Sequence, residues 1–248
     1  MASTSETGHS KNVANFEILI SFCTGHGASY NPSKAAIQLP ALNTLFTGAK
    51  ASLNAINTTL PQNANAVNAR EIVFAPLNKL ITRVFSAVDA SDVPKQVVGD
   101  VKPITRKLQG KRAGAKLSIV VDDAATPGDA SPKSISASQM SFDNRIENMG
   151  KLIQLLSAQP GYAPNETDLQ VASLTTLLAD MQTKNTDAIN ALAPVSNARI
   201  ARNNILYTED TGLVDIAGDV KKYVKSVFGA SSPQYKQVSG LKFTQRAA

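Results

Sequence analysis

The sequence predicts an all-α protein, a tandem duplication of a helical bundle of roughly 100 residues with about four helices per unit. Three observations lead there. Apolar residues recur at spacings of three and four, the chain aligns with itself at an offset of about 132 residues, and the composition is that of a packed globular chain. Of 248 residues, 43 % are hydrophobic, 18 % charged and 5 % aromatic, which excludes wholesale disorder. Much of the remaining polarity comes from Asn, Gln, Ser and Thr.

The self-alignment runs in ordered blocks. Asn15, Leu19 and Ile20 fall on Asn148, Leu152 and Ile153, and Tyr30-x-Pro32 falls on Tyr162-x-Pro164. Gln38, Leu42, Thr44 and Leu45 meet Gln170, Leu174, Thr176 and Leu177, while Ala55-Ile56-Asn57 returns as Ala188-Ile189-Asn190. Pro61 has a counterpart in Pro194, and Ala69-Arg70 one in Ala201-Arg202. Towards the end of each unit Val84-Phe85 returns as Val227-Phe228 and Lys95-Gln96-Val97 as Lys236-Gln237-Val238, across an insertion of about ten residues near Tyr207 to Asp219. The resulting organisation is a polar tail over 1–11, a first bundle over 12–109, a Gly/Ala/Ser/Pro-rich linker over 110–139 and a second bundle over 140–248.

In the first unit a short helix carries Val13, Phe16, Leu19, Ile20 and Cys23. A second, opened by Pro40, puts Leu42, Leu45, Phe46, Ala49, Leu53, Ile56 and Leu60 on one face and is expected to end at Pro61-Gln62-Asn63, because proline lacks the N–H that a helix interior needs. A third is expected from near Asn65, with Val73, Leu77, Leu80, Ile81, Val84 and Val88 as its stripe. Ser91-Asp92-Val93-Pro94 reads as the start of a fourth, carrying Val97, Val101, Ile104 and Leu108, which Pro103 should kink or shorten. The second unit repeats the plan with Met149, Leu152, Ile153 and Leu156, then Leu174, Leu177, Leu178, Met181, Ile189 and Leu192, then a helix restarting near Thr211. In the linker the only apolar island is Leu117 to Val121, read as a short strand or an anchoring patch.

Charge is unevenly placed. The net charge is +6, and Lys plus Arg outnumber Asp plus Glu by 12 to 6 over residues 1–113 against 11 to 10 over 140–248. Lys102, Arg106, Lys107, Lys111 and Arg112 follow one another with no acid between them, which makes this segment the candidate anion-binding site, for nucleic acid or an acidic membrane surface. The competing reading is that cations at a helix C-terminus simply meet the helix dipole.

Other chemistry is thinly represented. Cys23-Thr24-Gly25-His26 places a thiol near an imidazole, but the matching loop, Ser157 to Tyr162, has neither, so the loop is read as a turn in which Tyr30 and Tyr162 pack on their bundles. One cysteine and two histidines give no metal-ligand spacing, and Asp210, Asp215 and Asp219 miss the calcium-loop pattern and read as surface acids. No phosphate-cradling glycine motif occurs, and no cofactor or metal is expected. The absence of any apolar run of about 18 residues, and the single cysteine, fit a cytoplasmic chain without a transmembrane segment. What remains is a non-enzymatic structural or scaffold protein that acts through protein–protein contacts, with itself as the first partner to test, and with anion binding through 102–112 as the alternative.

Overall fold

The computed structural model describes residues 8–111 and 140–245. Arg112, the apolar island Leu117 to Val121, most of the expected linker and the first seven residues of the expected tail lie outside the described residues. Within them the chain is all-helical: α1 (His9–Gly25), α2 (Leu39–Phe74), α3 (Leu77–Asp89), α4 (Lys95–Gln109), α5 (Phe142–Ser157), α6 (Val171–Tyr207), α7 (Leu213–Phe228) and α8 (Pro233–Ser239), with short 3₁₀ turns at 27–29, 35–37 and 167–169. None of the described helices is long and apolar enough to cross a membrane.

The expected break at Pro61 does not occur. Helix α2 runs unbroken for 36 residues with Pro61 inside it, and α6 for 37 residues with Pro194 inside it. Both prolines are exposed, so the carbonyl left without its helical donor can be hydrated. The helix expected from Asn65 is therefore the second half of α2, and the next one starts at Leu77, after the Ala75-Pro76 turn. Helix α4 likewise continues through Pro103 to Gln109. Nor does Ser91 cap it; the Ser91 hydroxyl donates to the Val88 carbonyl at 2.8 Å and closes α3 instead. The expected tail also gives up His9 to Lys11 to the first turns of α1.

These unbroken helices bear on how the chain groups. The described residues group into two compact units, unit 1 from 8–64 with 190–245 and unit 2 from 65–111 with 140–189, whereas the repeat alone suggests boundaries at 109 and 140. Helices α2 and α6 each begin in one unit and end in the other. Each unit thus draws on both sequence halves.

Unit 1 packs Phe16, Leu19 and Cys23 of α1 with Leu42 of α2, Leu206 of α6, Leu213, Val220 and Val224 of α7 and Val238 of α8, all fully buried. Its buried polar residues have a structural task. Asn12 exchanges two hydrogen bonds with the Thr244 backbone, Nδ2 to the carbonyl at 2.9 Å and Oδ1 from the N–H at 3.0 Å, and Asn15 Nδ2 donates to the Lys242 carbonyl at 2.7 Å. These bonds imitate backbone pairing and hold the segment after α8 on α1.

Unit 2 packs Leu77, Ile81, Val84 and Val88 of α3 with Val101 and Leu108 of α4, Met149, Leu152 and Leu156 of α5, and Leu174 and Met181 of α6. Helix α5 opens on Ser141, whose hydroxyl accepts the Asn144 N–H, as Ser232 accepts the Tyr235 N–H at the start of α8. Three residues expected to face inward do not: Leu60 is 38 % exposed, Ile189 56 % and Leu192 57 %.

Candidate anion-binding face

Four of the five basic residues read from the sequence are described, and they do not act together. Helix α4 turns about 100° per residue, so Lys102 and Arg106 stand about 40° apart on one face while Lys107 is roughly 140° from Lys102. Lys102 and Lys107 are exposed and Arg106 is half-buried. Lys107 faces α5, where its charge helps Lys151 hold the Glu147 carboxyl below its usual range.

Lys111 is brought back towards the first pair by the helix terminus. Gly110 adopts the left-handed conformation at φ 66°, and the N–H groups of Gly110 and Lys111 donate to the carbonyls of Lys107 at 3.2 Å and Arg106 at 2.9 Å. Glycine supplies that backbone conformation without the cost a Cβ would add, and the two bonds use carbonyls that a helix end otherwise leaves open. Lys102, Arg106 and Lys111 then line one shallow depression of about 180 Å³ with Thr82, Phe85, Thr105 and Gln109. Its floor is fixed by Gln109, whose amide donates to Thr82 Oγ1 at 2.7 Å and to the Asn78 carbonyl at 3.1 Å, tying α4 to α3.

None of Lys102, Arg106, Lys107 and Lys111 forms an ion pair with a carboxylate among the described residues. Three cations around one depression can receive phosphate or sulfate oxygens, with a field that reaches about 8 Å at physiological salt. Sequence reading missed Thr82, Phe85, Thr105 and Gln109, since their role depends on which face of α3 meets α4. The i, i+4 spacing of Lys102 and Arg106 was the available signal for splitting Lys107 from the group.

The cysteine loop is occupied by packing. Cys23 is fully buried and hydrogen-bonded to Tyr30, and desolvation pushes its thiol up to about 11. His26 does not join it; its ring lies against Phe228 with centroids 5.0 Å apart, and burial lowers its basicity. Asp215 accepts the Asp210 N–H at 2.9 Å, and Asp219 is shared by Lys34 at 2.5 Å and Lys222 at 3.0 Å. No cluster of three His, Cys, Asp or Glu side chains suited to a metal occurs among the described residues.

Comparison with family models, characterised proteins and solved structures finds no match for this chain.

Proposed function

We propose that the chain is a non-enzymatic structural or scaffold protein that works through protein–protein contacts, including self-association into an oligomer or filament, in the cytoplasm. The observation that carries the reading is the solvent face of α6. Leu192 and Ile200, both in unit 1, are 57 and 55 % exposed on that one helix. At about 100° per residue they fall within an arc of roughly 80°. A row of branched apolar side chains left in water is characteristic of a surface that another protein covers. The flanking positions are mostly uncharged, so little charge has to be desolvated when the face is covered. Negative-stain microscopy with sedimentation analysis tests the reading: regular particles larger than one chain support it, and a monomer at every concentration counts against it.

The same reading takes the chain as a duplicated helical unit. Buried Phe16, Leu19, Ile20 and Cys23 of α1 match buried Met149, Leu152, Ile153 and Leu156 of α5 in order and spacing.

A second reading, an anion-binding module, is favoured by the meeting of Lys102, Arg106 and Lys111 at one depression. Its test is retention on heparin with Lys102→Ala and Arg106→Ala. If phosphate-like anions bind there, Lys102→Ala and Arg106→Ala each elute at lower salt than Lys107→Ala; equal elution of the three single variants removes the depression as the site.

A further inference from the structure

The loops after α1 and α5 share one hydrogen-bonded frame. In each, a tyrosine N–H donates back three residues, Tyr30 to the Gly27 carbonyl at 3.1 Å and Tyr162 to the Gln159 carbonyl at 3.0 Å. Both tyrosine hydroxyls then donate to the carbonyl seven residues on, at 2.6 Å for Ile37 and 2.8 Å for Leu169. A glutamine amide closes each loop on a proline carbonyl, Gln38 to Pro32 at 3.2 Å and Gln170 to Pro164 at 3.3 Å. The 3₁₀ turn of each loop packs on a helix of its own unit, α7 in unit 1 and α3 in unit 2.

What those two helices offer is different. Helix α7 presents Tyr223, whose ring meets Tyr30 edge-on, with centroids 5.3 Å apart and planes at 89°. The Tyr223 hydroxyl accepts the N–H of Asn31, the residue after Tyr30, at 3.1 Å. Helix α3 presents Ser86 and Ala87, with Ala90 just past its end, and a cleft of about 780 Å³ opens there beside Tyr162 and Ala163. Tyr162 has no ring partner among the described residues, and the N–H of Ala163, the residue after it, has no protein acceptor among them.

We propose that the unit 2 cleft is a binding slot for a neutral para-hydroxyphenyl ring. The ring takes against Tyr162 the position that Tyr223 takes against Tyr30, and its hydroxyl oxygen accepts the Ala163 N–H. Small side chains on α3 leave the width the ring needs. Asp92 and Glu166 line the same cleft, and Arg83, the one cation at it among the described residues, is held by both oxygens of Asp168. The remaining negative charge selects a neutral phenol and repels a phosphorylated ring. This proposal rests on the two loops and is independent of the assembly reading.

The test is a two-dimensional ¹H–¹⁵N titration of the full chain with N-acetyl-tyrosinamide, p-cresol, N-acetyl-phenylalaninamide and the phosphorylated tyrosine amide. Saturable shifts centred on the Ala163 amide, with neighbours in 86–92 and 160–166, are expected for the first two at millimolar concentration. Loss of the hydroxyl should weaken binding about threefold to tenfold, and the phosphorylated ring should give no saturable shift. Binding of p-cresol alone makes a small phenol the ligand; binding of both makes a tyrosyl side chain of a partner a fitting occupant. Ala87→Phe and Ala90→Leu each fill the slot and should abolish the shifts while the helical circular dichroism is retained. Tyr223→Ala should open the counterpart slot and add shifts at Asn31. The proposal is overturned if Ala163 shows no saturable shift with either phenol up to about 20 mM, if N-acetyl-leucinamide shifts it equally, or if both filled variants still bind.

Discussion

The Tyr30 hydroxyl donates to the carbonyl oxygen of Ile37 at 2.6 Å, and both residues are buried. This bond sets the loop between α1 and α2, and the Cys23 thiol leans on the same hydroxyl. Tyr30→Phe keeps the ring and removes the donor, leaving the Ile37 carbonyl unsatisfied away from water. The expected loss is about 1–3 kcal/mol, read as a lower urea midpoint at unchanged slope. Tyr162→Phe should behave alike, since Tyr162 makes the same bond to Leu169 at 2.8 Å.

Cys23 should be a silent thiol until the protein unfolds. Burial raises it from 9.0 to about 11, so at neutral pH it is protonated and inaccessible, and a thiol reagent should label it only at the rate of opening. Because the folded value lies above the ordinary one, the stability tied to the neutral thiol is complete below pH 9 and is lost as pH rises through about 11. The loss across that window is roughly 2–3 kcal/mol. Tyr162, pushed up to about 12 by burial, acts in the same direction at higher pH. Urea midpoints of wild type and Cys23→Ala at pH 8 and pH 10.5 check this, with a steeper decline expected for wild type.

Asn12 holds the segment after α8 through its paired bonds with Thr244. Asn12→Ala removes both and should release 241–245 before anything else. Limited proteolysis is expected to trim the variant within that segment while the wild type resists, at a stability cost of about 1–3 kcal/mol.

Pro61 sits exposed inside α2. Replacing it with alanine restores an N–H donor and removes the ring's clash with the preceding turn, so Pro61→Ala should raise stability by up to about 3 kcal/mol. A lowered melting temperature would mean that the proline sets a bend which the packing needs.

Much of the fold can be read from spacing alone. Phe16, Leu19, Ile20 and Cys23, and later Met149, Leu152, Ile153 and Leu156, recur at three- and four-residue steps and are buried as that pattern demands. Pro61 and Pro194 misled because a proline weakens a helix locally, while packing on both sides decides whether the helix continues. Ile189 and Leu192 share the helical spacing of buried residues, and spacing cannot tell an inward stripe from one left in water. At the candidate anion-binding face the lysines and arginines were visible as a charge run. Their partition was not, because it depends on the left-handed turn at Gly110 and on the face of α3 that carries Thr82 and Phe85.

The apolar face of α6 is tested most directly by light scattering on size-exclusion fractions of wild type and of the double variant Leu192→Glu, Ile200→Glu, each at several concentrations and two salt strengths. The expected result is a wild-type mass that rises with concentration and survives high salt, and a double variant that stays at one chain with unchanged helical circular dichroism. A wild type that remains at 26.2 kDa under every condition would contradict self-association through this face.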